Sequence, residues 1–159
     1  IEVIDTDAEG RVVLSDALYY AAHDLKPDYI VEYSTLTGAI IVALGHTAAG
    51  VFAFDKKLEQ TVIEASEKTG ERVHSMPIYE EVIEEVKGQI SDVVNLHKAK
   101  RTAGSMIGAA FLKEFVKDVP YAHIDIAGVS DGNGAIGYHK TGSSGYGIQL
   151  SIEIARSLT

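Results

Sequence analysis

Apolar, strand-like segments alternate with helical ones along this chain, and neither an internal repeat nor a low-complexity linker separates them. Such alternation is the pattern of an α/β fold. Residues 1–5 read as extended, and Ser15-Asp16 predicts the cap of a helix that runs to about His23 and ends before Pro27. Residues 29–34 form a buried strand candidate. Thr35-Leu36-Thr37-Gly38 is a strand-to-helix turn, leading into an apolar stretch to Leu44 whose periodicity fits helix or strand. Residues 48–54 predict a second strand, and Asp55 predicts the cap of a helix to about Thr69. Pro77 is placed at the first position of an amphipathic helix to about Lys87, with Val82, Ile83 and Val86 as its buried stripe. Residues 91–97 read as irregular or extended. A helix over 103–116 carries Gly104, Gly108, Ala109 and Ala110, a surface suited to close packing against a sheet. Residues 123–126 predict a strand, the glycine-rich stretch 130–147 a long loop, and 148–158 a last helix.

With 159 residues, 46% hydrophobic and 23% charged, the chain has the profile of one globular domain, and a chain of this length buries roughly 70% of its unfolded surface. There is no cysteine, which removes disulfide and zinc-finger frameworks and is compatible with the cytoplasm. The net charge is −9 and the 14 basic residues are scattered, so no phosphate backbone is expected as partner. The longest apolar run, Ala39-Ile40-Ile41-Val42-Ala43-Leu44, falls far short of the roughly 20 residues that span a bilayer, so no membrane partner is expected.

Near the start, Asp5, Asp7 and Glu9 occupy every second position and are followed by Gly10 and Arg11. In an extended segment the three carboxylates project to one side, neighbours roughly 6–7 Å apart, a geometry that a divalent cation relieves. A solvated acidic edge strand is the plainer account. An EF-hand-like calcium loop is a third reading, because Asp5, Asp7, Glu9, Gly10 and Asp16 fall at loop positions 1, 3, 5, 6 and 12. Against that reading, an EF-hand needs a helix before its loop and a bidentate Glu at its end. The chain starts at Ile1, and we read it as the C-terminal part of a longer protein.

Asp5-Thr6-Asp7-Ala8-Glu9-Gly10-Arg11 resembles the Asn-Thr-Asp-Ala-Glu-Gly-Arg signature of the leucyl aminopeptidases, the two-metal M17 exopeptidases. Ser34-Thr35-Leu36-Thr37-Gly38-Ala39 is similar to that family's Ala-Thr-Leu-Thr-Gly-Ala turn, and Arg72-Val73-His74-Ser75-Met76-Pro77 to its pre-helix segment. Residues 92–95, then Arg101-Thr102-Ala103-Gly104 running into 109–115, and His123-Ile124-Asp125-Ile126-Ala127-Gly128 follow in family order. Five ordered motifs are far more specific than any one of them.

The resemblance implies a mixed sheet flanked by helices on both faces, part of a peptidase catalytic domain. It implies that Asp7 and Glu9 are metal ligands, with Glu9 bridging two ions drawn from manganese, zinc, magnesium or cobalt. Arg11 is implied to be the catalytic arginine that holds a bicarbonate ion as general base, with Gly10 and Leu36 completing the anion site. Thr35, Leu36 and Gly38 match substrate-contacting positions, and Leu96, Ala127 and Ser130 the wall of the side-chain pocket. Peptides with apolar, leucine-like N-terminal residues are the implied substrates, and a cytoplasmic hexamer the implied state of the complete enzyme. An arginine cannot act as a base at neutral pH, which agrees with an anion-holding role.

Two departures stand out: Asp5 replaces the family's asparagine, and His97 stands where glycine is usual. The family's remaining metal-binding lysine and aspartates and its second catalytic lysine lie upstream of the signature, so the isolated chain is expected to be inactive. The six histidines, 23, 46, 74, 97, 123 and 139, make no ligand pair at helical spacing and read as packing or surface residues. Gly142, Gly145 and Gly147 do not follow a strand as a phosphate loop would, and Ser34 and Ser105 lack the surroundings of an activated nucleophile.

Overall fold

The computed structural model describes residues 1–97, 102–132 and 142–159. Arg101, His139 and the middle of the expected 130–147 loop lie outside these residues.

The acidic segment does not stay extended. Residues Thr6–Ala8 form a 3₁₀ turn that passes directly into helix α1, Glu9–Tyr20. Asp5 remains extended and its carboxylate accepts the Asp7 N–H at 2.9 Å, so it caps the turn instead of standing with Asp7 and Glu9 on one strand face. Asp7 and Glu9 then occupy a helix N-terminus, which favours negative charge. The alternating three-carboxylate face is therefore not formed, because local capping outcompetes the strand. The EF-hand loop is excluded with it: α1 occupies its second half, and residues 1–4, leading into Asp5, are not helical. Ser15 is no cap either; it lies buried within α1 and donates to the Val12 carbonyl. The helix runs on through a π turn at Ala21–Leu25 and stops at Lys26, left-handed ahead of Pro27.

Four strands make one mixed sheet. They are β1 Ile30–Ser34, β2 Ala49–Ala53, β3 Val73–Ser75 and β4 Tyr121–Asp125, in the order β1-β4-β2-β3. β1 and β4 are parallel with Ser34 level with Asp125, β2 and β3 are parallel, and β2 runs antiparallel to β4. β3 is too short for its composition to announce.

Helix α2, Gly38–Leu44, follows the turn after β1, and α3, Lys56–Thr69, links β2 to β3. Asp55 caps α3 as expected, accepting the Leu58 N–H at 2.8 Å, and Gly70 ends it at φ 75°. Helix α4 is only Glu80–Glu84, beginning after Tyr79 instead of at Pro77. Helix α5 is Gly104–Lys113 and α6 is Ile148–Leu158.

The helices cover both faces. One core joins α1, α4 and α5 through Leu18, Val82, Ile107 and Phe111 to Ile30 and Tyr121. The other joins α3 and α6 through Val62, Ala65, Leu150 and Ile154 to Ala49, Val51 and Ile124. α2 joins the first face, packing Ile40 on Phe52 and on Ala109 of α5. Of the small residues of α5, Ala109 and Ala110 pack in cores with strand residues Phe52, Ile30 and Tyr121 as expected, while Gly108 serves a different neighbour. A Cβ on Gly108 would stand 2.9 Å from Leu36 Cδ2 and 3.2 Å from Thr37 Cγ2, so α5 lies against the turn that follows β1.

Candidate functional site

β1 and β4 are parallel neighbours, so the turns after Ser34 and Asp125 open at the same end of the sheet, where open α/β sheets hold ligands. The N-terminal segment is brought there by pairing with residues 93–95: the Glu2 N–H donates to the Val93 carbonyl at 2.8 Å, and the Asn95 N–H to the Glu2 carbonyl at 3.0 Å.

Two adjoining depressions result. A cleft of about 260 Å³ is bounded by Asp5, Asp7, Arg11, residues 36–39, Leu96 and His97. A second, of about 350 Å³, is bounded by Asp7, Glu9, Gly10, Arg11, Ser34, Thr35 and Leu36. Asp7, Arg11 and Leu36 belong to both, so a ligand spanning them would meet the expected metal-ligating, anion-holding and substrate-contacting positions together. Ala127 and Ser130 border neither depression. The Ala127 N–H donates to Asp125 at 3.2 Å.

Arg11 is buried, and its guanidinium donates to the Asn95 carbonyl at 2.8 Å. Burial pushes its pKa below the ordinary arginine value, while the charges of Asp125 and then Asp5 pull it back up. It remains a fixed cation at neutral pH. Asp125 is fully buried and accepts the Thr37 hydroxyl at 2.7 Å and the Leu36 N–H at 3.2 Å. Burial raises its pKa, opposed first by the Thr37 hydroxyl and then by the nearby His123. The Leu36 N–H, expected to face an anion, is thus directed inward to Asp125. In turn, the Thr37 hydroxyl accepts the Ile40 N–H at 3.3 Å and caps α2.

Asp7 and Glu9 are exposed oxygen donors at the mouth of the site, suited to hard divalent cations. Among the described residues, no three His, Asp or Glu side chains gather as a metal site. Asp7 and Glu9 by themselves would supply only part of the oxygen shell of such a cation. His97 is buried in the cleft wall, its Nε2 3.1 Å from the Thr102 carbonyl and its Nδ1 3.4 Å from Glu85.

Two residues central to this geometry, Asn95 and Asp125, were visible in sequence only as members of resembling motifs. Nothing in their local pattern signals a partner some 90 positions away.

Residues 1–152 match the catalytic domain of the cytosol aminopeptidase family. The chain is 42% identical over 159 residues to a probable cytosol aminopeptidase of Rickettsia peacockii (strain Rustic), covering 99% of this chain and 32% of that protein. To a probable cytosol aminopeptidase of Chlorobium limicola it is 45% identical over 157 residues, covering 98% of this chain and 30% of the relative. The chain thus spans about a third of the length of the curated relatives it matches. No helix among the described residues is long and apolar enough to cross a membrane.

Proposed function

The chain belongs to the cytosol aminopeptidase family, and on that premise we propose that it is the C-terminal part of the catalytic domain of a two-metal aminopeptidase that releases apolar, leucine-like residues from peptide N-termini. The observation that carries this reading is the meeting of Asp7, Arg11 and Leu36 at the junction of two depressions. Asp7 and Glu9 would hold metal, which when bound would supply Lewis-acid chemistry at the scissile carbonyl. Arg11 would fix an anion, bicarbonate in this reading, or the negative charge developing on the substrate. Gly10, in the first turn of α1, would join it, at the end of the helix where the dipole favours negative charge. Thr35, Leu36 and Gly38 would seat the peptide, with Leu96 in the wall of the cleft; Ala127 and Ser130, which border neither depression, would belong to the side-chain pocket on the resemblance alone. The relatives' name supports a cytoplasmic location, and the resemblance supports a homo-hexamer.

The 159-residue chain alone is expected to be inactive, because Asp7 and Glu9 are too few donors for two ions. The test compares the full-length protein and this chain on leucine p-nitroanilide, with manganese and after chelation. Activity of the full-length protein, dependent on metal and missing from the chain alone, is expected. A full-length protein inert with every divalent metal would overturn the reading, and an active isolated chain would overturn the donor count.

A further inference from the structure

Asn95 is completely buried and every polar group it owns is committed. Its side-chain oxygen accepts the N–H groups of Ile4 at 2.8 Å and Asp5 at 3.3 Å. Its side-chain amide donates to the carbonyls of Asp5 at 2.6 Å and Ala8 at 3.4 Å. Its own carbonyl accepts Arg11 Nη1 at 2.8 Å, and its N–H donates to the Glu2 carbonyl at 3.0 Å. The orientation of the amide is dictated by its neighbours, since reversing it would set donors against two N–H groups and an acceptor against two carbonyls. The Asp5 carbonyl it grips also closes the 3₁₀ turn, accepting the Ala8 N–H at 3.3 Å. One residue therefore holds both ends of the turn that presents Asp7 and starts the helix that presents Glu9, while its backbone holds Arg11.

We propose that Asn95 is a positioning residue that locks the Asp7 and Glu9 ligands and the Arg11 anion anchor into one frame, so that metal affinity and turnover at saturating metal depend on it together. This rests on the aminopeptidase reading above. No other side chain of similar size supplies both halves of the contact. Aspartate keeps the acceptor for Ile4 and Asp5 but turns an oxygen toward the Asp5 and Ala8 carbonyls. Leucine removes both functions, and glutamine is a methylene too long for a buried site.

The experiment uses the full-length protein, stripped of metal and titrated calorimetrically with manganese, for the natural sequence and Asn95→Asp. The expected result is manganese affinity lowered by about 10–100-fold, the range for residues that orient ligands without touching metal. At saturating manganese, kcat should also fall about tenfold or more, with KM changed less, because the Arg11 anchor moves too. A folded Asn95→Asp protein with unchanged affinity overturns the proposal. So does one with weakened affinity but normal kcat at saturation, since the two would then be uncoupled.

Hydrogen exchange separates this inference from the functional reading. In Asn95→Asp the Asp7 and Ala8 amides should exchange at least about tenfold faster while Val62 in α3 is unchanged. Unchanged Asp7 and Ala8 exchange overturns the positioning role. Faster exchange, in a protein whose natural form binds no manganese, upholds the positioning and overturns the metal reading. Asn95→Ser adds no charge and carries the same test, with intermediate losses, if Asn95→Asp does not fold.

Discussion

On the face of the sheet covered by α3 and α6, Val62, Ala65, Leu150 and Ile154 meet Ala49, Val51 and Ile124, all apolar and buried. On the opposite face β4 presents Tyr121, His123 and Asp125, all fully buried, and β1 presents Glu32 beside them. Among the described residues, the apolar face holds one buried carboxylate, Glu71, which is satisfied by the Gly147 N–H at 3.0 Å and the Leu150 N–H at 2.6 Å at the start of α6. The polar face is less complete. His123 Nδ1 lies 2.6 Å from Glu32, yet His123 Nε2 and Glu32 Oε1 are buried without a hydrogen-bond partner among the described residues. A buried polar atom left unpaired costs about 1–3 kcal/mol. The difference teaches where a fold like this places its chemistry: the apolar face supplies stability, and the polar face spends part of it holding charged groups behind the Leu36 turn.

The sharpest way to break that comparison is to weaken the apolar face alone. Leu150→Ala should remove about 3 kcal/mol of stability through the cavity it leaves, measured by denaturant unfolding. In the full-length enzyme, kcat per folded molecule should stay unchanged. A large loss of kcat in the folded fraction would mean that the two faces are not separable.

Next in size is Arg11→Ala in the full-length protein, expected on the proposed reading to lower kcat about 10²-fold with little change in bound metal, because it would remove an anion anchor and no ligand. Arg11→Lys should recover little, since an ammonium cannot reproduce the planar fork that holds the Asn95 carbonyl and would, on the proposed reading, also hold an anion. Normal turnover in Arg11→Ala would end the catalytic assignment.

These expectations draw on parts of the molecule that differ in how legible they are. α3 and α6 could be read because their signals are local: Asp55 at one end of α3, Gly70 at the other, and an apolar stripe in between. β1, β2 and β4 could be read because their apolar runs are bounded by turns. The acidic motif reads as a strand because its alternation fits period 2, whereas the side chain of Asp5, accepting the Asp7 N–H, decides for a turn. Pro77 drew α4 too early, since an N-terminal proline is compatible with a helix start without requiring one. Asn95 and Asp125 act across the chain, and no local pattern encodes a partner that only the fold brings near.

Asp125→Asn sharpens the comparison from the polar side. Burial raises the pKa of Asp125, so the native state binds its proton more tightly than the unfolded chain. With the unfolded state binding fewer protons, stability falls as pH rises from the ordinary carboxylate range through the raised value. Asparagine keeps an acceptor for the Leu36 N–H and carries no charge, so this part of the slope should vanish. Denaturant midpoints measured across that acidic range check it, and an unchanged slope would show that Asp125 is not the group responsible.

The smallest effect separates the two faces through their buried tyrosines. Tyr146, against α3 and α6, donates its hydroxyl to the Arg72 carbonyl at 2.6 Å, while Tyr121, on the polar face, reaches Glu32 only at 3.4 Å. Burial raises the pKa of both, with Glu71 and Tyr33 adding for Tyr146 and Glu32 adding for Tyr121. The unfolded chain loses these protons near pH 10 while the native state keeps them, so each tyrosine subtracts up to about 1.36 kcal/mol of stability per pH unit above that point. Tyr146→Phe should cost about 1 kcal/mol at pH 7, the value of a typical hydrogen bond, and flatten the alkaline decline. The variant and the natural chain should then be equally stable about one pH unit above 10. Tyr121→Phe should flatten the decline in the same way but cost less at pH 7, because its bond is longer. Unfolding at pH 7, 10 and 11 measures both, and equal losses at pH 7 would show that the polar face gains as much from its tyrosine as the apolar face does.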